Sequence, residues 1–295
     1  MNILILGPGA VGSLWATKFK LVGHHVSLWG RTSESELSLQ LDDAPLTTYS
    51  NQSITSVQEA DLILITVKAW QVESAIEPLL PYISEDTIVM LMHNGMGTAP
   101  LIEAKLANNP IVIATTTHGA YKPSKQQVLH TGHGYTQLGG FNAKGAQCDF
   151  LAEVMNHALP EVHWNPNING ALWTKLAINC AINPLTAIHQ CKNGELAANE
   201  FAIELANITH ELVEVMNKEE IKVDFDALHA TIMQVVNATA ANYSSMRQDV
   251  FHRRRTEIDF ITGYLLQTTE KHQISTPENT KLYQRIKQIE QSWTE

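Results

Sequence analysis

A strand, a glycine turn and a helix follow one another within the first twenty residues: Asn2-Ile3-Leu4-Ile5-Leu6, Gly7-Pro8-Gly9-Ala10-Val11-Gly12, then Ser13-Leu14-Trp15-Ala16-Thr17-Lys18-Phe19. A G-x-G-x-x-G motif alone carries little weight. Placed after an apolar run of strand length and before a helical pattern, it predicts a βα unit that binds a dinucleotide. Each glycine has a task there. Gly7 permits the tight turn, Gly9 lets the backbone approach a pyrophosphate, and Gly12 lets the helix pack against the strand. The first helical turn, Ala10-Val11-Gly12, offers N–H groups to the anion, and Pro8 is tolerated because its fixed φ suits the turn.

The second apolar run, His25-Val26-Ser27-Leu28-Trp29, ends on Gly30-Arg31, where the adenosine ribose is expected. An NAD site places Asp or Glu at that point, whereas an NADP site needs a cation for the 2′-phosphate. Arg31 has a planar fork that can pair two phosphate oxygens, so the sequence favours NADP. Glu34 and Glu36, a few residues on, are the only nearby candidates for the NAD role.

Alternation of short apolar runs with helical stretches continues to about residue 166, as expected of βαβ units and a parallel sheet. Leu62–Val67, Thr87–Met92 and Ile111–Thr116 are apolar enough to be central strands covered on both faces. Gln127–His130 and Tyr135–Leu138, separated by a glycine-bearing turn, predict an antiparallel hairpin at the edge of that sheet. After Asn165-Pro166-Asn167 the period is helical, with helices expected at about 169–190, 199–218, 225–240 and 257–272 and a last one from Pro277. Pro184 is expected to kink or end the first of these. The fold class is therefore α/β: a Rossmann-type N-terminal domain over 1–166, followed by an all-α domain over 167–295.

Composition narrows the functions this plan can serve. A net charge of −10 argues against a nucleic-acid partner, and Arg253-Arg254-Arg255 is too short and too close to Glu257 and Asp259 to reverse that. Three cysteines without C-x-x-C spacing disfavour disulfides and zinc, and His130-x-x-His133 has no third ligand at metal spacing, so no metal is expected. No apolar run reaches membrane-spanning length and the first strand begins at once, so no membrane partner and no signal peptide are expected, and the compartment is read as cytoplasmic. A small-molecule substrate remains, with the chain a monomer or homodimer.

Ligands of such a fold belong in the crevice outside the carboxyl ends of the strands, facing the helical half. Lys68, Asn94 and the run Thr115–Ala120 follow strand ends and are candidates to reach it. Gly95 and Gly97 suggest backbone passing close to a ligand. A sharper signal lies in Leu172-Trp173-Thr174-Lys175-Leu176-Ala177-Ile178-Asn179-Cys180-Ala181-Ile182-Asn183. Lys175, Asn179 and Asn183 are spaced i, i+4, i+8 and share one helix face among apolar neighbours. An ammonium and two amides aligned on a buried face cost several kcal/mol unless something satisfies them, and a polar ligand is the natural partner. Ser244-Ser245 reads as a helix cap, and Glu257 as an acid in a first helical turn.

With these pieces in order the chain resembles the ketopantoate reductase family over its whole length. The resemblance is carried by the glycine loop, by Thr66-Val67-Lys68-Ala69-Trp70, by His93-Asn94-Gly95-Met96-Gly97, by Trp173–Pro184, and by Ser244-Ser245-Met246-Arg247-Gln248-Asp249 with Thr256-Glu257-Ile258-Asp259. It implies that Lys175 is the catalytic acid, that Asn179, Asn183 and Asn193 hold the substrate with Asn242 nearby, and that Ser245 binds its carboxylate. It further implies that Arg31, Lys68, Asn94 and Ala120 contact NADP and that Glu257 bridges cofactor and active site. The implied activity is NADPH-dependent reduction of ketopantoate in pantothenate and coenzyme A synthesis. Two rivals have the same plan: another NADP-dependent hydroxyacid dehydrogenase, which also uses a helix-borne lysine, and a non-catalytic NADP-sensing module. Asn183 and the Ser244-Ser245 segment distinguish the first rival, and a proton donor at Lys175 argues against the second.

Overall fold

A computed structural model describes residues 1–293, in two compact units: Met1–His93 with Gly97–Ile168, and Asn94–Met96 with the described residues from Asn169 onward.

The first unit is built on a seven-stranded sheet. Its strands are β1 (Asn2–Leu6), β2 (His25–Trp29), β5 (Leu62–Ile65), β6 (Ile88–Leu91), β7 (Ile111–Thr116), β10 (Thr136–Gly140) and β11 (Val162–Trp164), in the order β11-β10-β7-β6-β5-β1-β2. β1, β2, β5, β6 and β7 run parallel, whereas β10 is antiparallel to β7. Every residue of β5 and β6 is buried, as continuous apolar strands covered on both faces must be. Alternate residues feed two cores. Ile3, Ile5, Leu62 and Leu64 pack on one face with Trp15 and Phe19 of α1 (Ala10–Leu21), while Leu4, Leu6, Ile63 and Ile65 pack on the other. The remaining helices of this unit are short: α2 (Ile54–Gln58), α3 (Val72–Ile76), α4 (Ala99–Lys105) and α5 (Leu151–Ala158).

The expected hairpin does not form. β9 (Gln127–Gly132) leaves the main sheet for a second one of four strands, ordered β4-β3-β9-β8, with β3 (Glu36–Leu41), β4 (Thr47–Ser50) and β8 (Gly119–Tyr121). β10 instead returns along β7, where Thr136 pairs with Thr116 in the ladder and their hydroxyls lie 2.9 Å apart. The two runs are neighbours in sequence but serve different sheets because β9 has better partners, β8 antiparallel and β3 parallel. β3 and β4 bury Leu39, Leu41 and Tyr49 against the α1 face. Glu36 therefore begins a strand of this second sheet.

The second unit is helical: α6 (Ile168–His189), α7 (Asn199–Lys218), α8 (Phe225–Ala238), α9 (Ser245–Phe251), α10 (Thr262–His272) and α11 (Pro277–Gln291). Residues 257–261 form a short turn rather than the start of a long helix. α6 is its axis, with Trp173, Leu176, Ala177, Cys180, Ala181 and Leu185 buried in the core. Pro184 neither ends nor interrupts it, and the helix runs five residues further. A mid-helix proline costs about 3 kcal/mol or more. Burial of Ala181, Ile182, Leu185 and Ala187 on both sides offsets that, and the Thr186 hydroxyl, donating to the Ile182 carbonyl at 2.8 Å, braces the turn. Among the described residues no helix is long and apolar enough to cross a membrane.

Candidate active site

In the first unit the glycine loop joins β1 to α1. Gly7 adopts φ +91°, and a Cβ there would come within 2.3 Å of Val67 Cγ1. At Gly12 a Cβ would meet Thr66 Oγ1 at 2.3 Å and the Gly7 carbonyl oxygen at 2.5 Å. Thr66 closes this contact by donating its hydroxyl to that same carbonyl at 2.7 Å. Gly9 is different: nothing lies nearer than 4.0 Å to the place its Cβ would take, so the loop is open there. Gly9 is the N-cap of α1 and no side chain caps the helix. The first-turn N–H groups of Ala10, Val11 and Gly12 are thus left for an anion, with the positive end of the helix dipole behind them.

At the end of β2 the turn through Gly30 and Arg31 is pinned by two residues whose role the sequence did not reveal. Buried Asn51 accepts the Gly30 N–H at 2.8 Å and donates to the carbonyls of Thr32 and Glu34 at 3.1 and 2.6 Å. Gln52 donates to the Gly30 carbonyl at 2.8 Å. Arg31 itself is exposed, and no described carboxylate pairs with it, Glu34 and Glu36 included. Lys68 precedes a short helical turn after β5 and its N–H donates to Gln71 Oε1 at 3.3 Å. Ala120 lies in β8, opposite His130 of β9.

One further side chain reaches this loop. Lys122, just beyond β8, donates from Nζ to the Pro8 carbonyl at 2.7 Å and to Ser13 Oγ at 3.0 Å. It is half-buried, and desolvation pushes its pKa down. The contact spans 114 residues of chain, and nothing in the local sequence marks it.

In the second unit α6 carries Lys175, Asn179 and Asn183 in one row. Asn183 is buried, and the side-chain amides of Asn179 and Asn183 make no hydrogen bond to any described protein group. Lys175 keeps some accessible surface yet is packed round by protein, and its burial lowers the pKa to about 8 against the upward pull of the Glu257 carboxylate. Glu257 is buried and accepts from Asn94 Nδ2 at 3.5 Å. Asn94 is placed by its neighbours: the Met96 N–H donates to the Phe260 carbonyl at 2.8 Å, and Gly95, at φ +84°, would bring a Cβ within 2.5 Å of that oxygen. The glycine at position 95 thus permits a close approach to the Phe260 backbone.

The next turns gather the other candidates. Asn193 is buried, its N–H donating to the Asn242 carbonyl at 2.9 Å and its Nδ2 to Thr239 Oγ1 at 2.9 Å, while its Oδ1 is buried without a partner. Ser244 and Ser245 divide their work. Ser244 is the cap of α9, accepting the Arg247 N–H at 3.0 Å, and its Oγ lies 2.7 Å from Thr186 Oγ1 of α6. Ser245 and Asn242 are exposed and their side chains bond to no described protein group. The second unit thus holds Lys175, Asn179, Asn183, Asn193, Asn242, Ser245, Glu257 and also Asn94. The glycine loop, Arg31, Lys68 and Ala120 belong to the first.

The residues present fit a dinucleotide phosphate. The loop is open at Gly9, α1 lacks a side-chain cap, and Arg31 stands without an acid beside a braced turn. The second unit offers what carbonyl reduction needs from a protein: an ammonium able to release a proton near neutral pH, and amides short of partners.

Comparison with known proteins gives a consistent result. The sequence model of the family described as ketopantoate reductase PanE/ApbA matches residues 3–143, and its C-terminal counterpart matches residues 167–290. A 2-dehydropantoate 2-reductase of Vibrio cholerae serotype O1 is 56% identical over 294 residues, covering 100% of this chain and 99% of the relative. A PanE/ApbA family ketopantoate reductase from Ralstonia eutropha JMP134 superposes with TM-score 0.89 at 26% identity, covering 100% of both chains. D-mandelate dehydrogenase, solved with NADH and anilino(oxo)acetate, superposes with TM-score 0.90 at 26% identity, again covering 100% of both.

Proposed function

The chain belongs to the ketopantoate reductase family, and from that premise we propose how its residues reduce 2-dehydropantoate to pantoate with NADPH. One observation carries the reading: Lys175, Asn179 and Asn183 stand in a row on α6, with both amides unpaired by protein. The bound cofactor supplies a hydride to the ketone carbon. The Lys175 ammonium holds the ketone oxygen, stabilises the negative charge growing there and gives up its proton to make the alcohol. A pKa of about 8 leaves Lys175 largely protonated at neutral pH yet close enough to solution pH to transfer the proton readily. The apolar packing that lowers this pKa also accommodates the neutral amine left behind. Glu257 opposes the shift, keeps the ammonium charged and, with Asn94, orients it. Ser245 binds the substrate carboxylate, while Asn179 and Asn183, with Asn193 and Asn242 beside them, bond the distal hydroxyl. The glycine loop, Arg31, Lys68, Asn94, Ala120 and Glu257 hold the cofactor. The enzyme works in the cytoplasm as a monomer or homodimer.

Steady-state NADPH oxidation with a panel of 2-keto acids tests this reading. Ketopantoate should exceed 2-keto acids without the distal hydroxyl by about 10² to 10⁴ in kcat/KM, because an analogue lacking the hydroxyl leaves buried amides unpaired. Asn183→Ala should erase most of that preference. Equal or better turnover of an aryl 2-keto acid, or faster NADP+-dependent oxidation of 3-hydroxyacids than of pantoate in the reverse direction, would replace the substrate assignment.

The superposition on an NADH-bound dehydrogenase makes cofactor choice a separate question. Arg31→Ala should raise the KM for NADPH by about 10- to 100-fold, the range for loss of charge-assisted hydrogen bonds, and leave that for NADH nearly unchanged. Equal loss with both cofactors would remove Arg31 from the 2′-phosphate.

A further inference from the structure

We propose that Lys122 is a cofactor-binding residue that pairs with the pyrophosphate of NADPH and holds the glycine loop in shape to receive it. The inference rests on the reading that the loop binds NADPH.

The geometry at Lys122 points to an anion. Its Nζ donates to the Pro8 carbonyl at 2.7 Å and to Ser13 Oγ at 3.0 Å, and Ser13 Oγ itself donates to the Pro8 carbonyl at 2.9 Å. Pro8 precedes Gly9 and Ser13 follows Gly12, so one ammonium ties together both ends of the segment whose first-turn N–H groups no side chain caps. Both acceptors are neutral. They satisfy two of the three N–H bonds and none of the charge.

A half-buried cation of this kind ordinarily has a carboxylate beside it. Among the described residues Lys122 has none, although the chain carries thirty acids. The nearby partial charges are unfavourable as well, since the positive end of α1 lies at the same loop. A cation placed beside a helix N-terminus, with no acid to neutralise either, is a site built for a doubly charged ligand. The pyrophosphate is the one such group on NADPH that the loop is shaped to approach. The depressed pKa of Lys122 is the same fact in another form, because it reports burial that no described anion offsets.

A purely structural role predicts something else: Lys122 would only brace the loop, and any substitution that keeps the brace would suffice. Binding of NADPH and of adenosine 2′-monophosphate, which carries the Arg31 end of the cofactor and no pyrophosphate, separates the two. Both would be titrated calorimetrically against wild type, Lys122→Met, Lys122→Gln and Lys122→Arg. Glutamine keeps an N–H donor without the charge, and arginine keeps the charge.

The expected result is an NADPH Kd raised about 10- to 100-fold in Lys122→Met and Lys122→Gln, with partial recovery in Lys122→Arg and adenosine 2′-monophosphate binding within about 2-fold of wild type. The KM for NADPH should rise with Kd, and kcat should fall by much less. Wild-type NADPH affinity in Lys122→Gln would overturn the pairing, and so would equal weakening of both ligands. A wild-type protein that takes up no NADPH would overturn the cofactor reading itself, and this inference with it.

Discussion

Replacing Lys175 with methionine should lower kcat for ketopantoate reduction by about 10² to 10⁴, the contribution expected of a positioned general acid. NADPH affinity should change far less, since Lys175 acts on the ketone oxygen and is not among the residues that hold the cofactor. Methionine keeps the length and apolar stem of the side chain, so the variant removes the ammonium while preserving packing. Stability should not suffer. The folded pKa, about 8, lies below the ordinary 10.5, so the native state binds this proton more weakly than the unfolded chain. Below about pH 8 both states hold the proton and the charged lysine opposes folding; between the two values this penalty fades as pH rises. Lys175→Met should therefore have a Tm at least equal to wild type at pH 7. Lys175→Arg adds a finer test. A guanidinium still stabilises negative charge, but it does not release a proton near neutral pH. Its rate should fall between those of Lys175→Met and wild type. Undiminished turnover in Lys175→Met, measured as NADPH oxidation at saturating ketopantoate, would remove the acid assignment.

Gly12→Val should abolish measurable NADPH binding and destabilise the first unit by about 1–3 kcal/mol, the range for overpacking a well-filled site. Even the first added carbon would fall 2.3 Å from Thr66 Oγ1, 2.5 Å from the Gly7 carbonyl oxygen and 3.1 Å from Ile5 Cγ2. Thr66 can turn away only by giving up its 2.7 Å bond to the Gly7 carbonyl, and the carbonyl is main chain at a positive-φ glycine. Helix α1 has to move off β1, and the loop between them loses its shape. Gly9→Ala is the matched control, because its Cβ meets nothing nearer than 4.0 Å. That variant should keep the wild-type Tm yet bind NADPH at least 10-fold more weakly, about the loss of one charge-assisted hydrogen bond, since the added methyl group occupies the approach of the pyrophosphate. A Gly12→Val protein that melts and binds as wild type does would contradict the close packing of α1 on β1.

The parts of the fold legible from sequence are those fixed by local rules. The β1–loop–α1 unit, the fully buried β5 and β6 and the later helices each carry their own periodicity, turn residues or caps. The second sheet was not legible, although Glu36-Leu-Ser-Leu-Gln-Leu alternates as a strand should, because alternation does not name a partner and β3 pairs with β9, more than eighty residues away. For the same reason the sequence pairs Gln127–His130 with Tyr135–Leu138, whereas in the structure Val128 is buried with the β3 leucines and Thr136 pairs with Thr116. Pro184 carries a local cost that a sequence shows and a tertiary packing that it does not, and the packing outweighs the cost. At the site, the row of Lys175, Asn179 and Asn183 was visible as a polar face in an apolar helix. Asn51, Gln52 and Lys122 were not, since each acts on a turn far from it in the chain.

The pH dependence of kcat/KM for ketopantoate, followed in wild type and in Glu257→Gln, tests the proposed acid most directly. The wild-type rate should hold at neutral pH and fall as pH rises through about 8, where Lys175 loses its proton. In Glu257→Gln the same limb should move to lower pH, because the carboxylate that raises this pKa is gone. A profile flat to pH 10 in the wild type, or a limb that stays in place when the carboxylate is removed, would contradict the account.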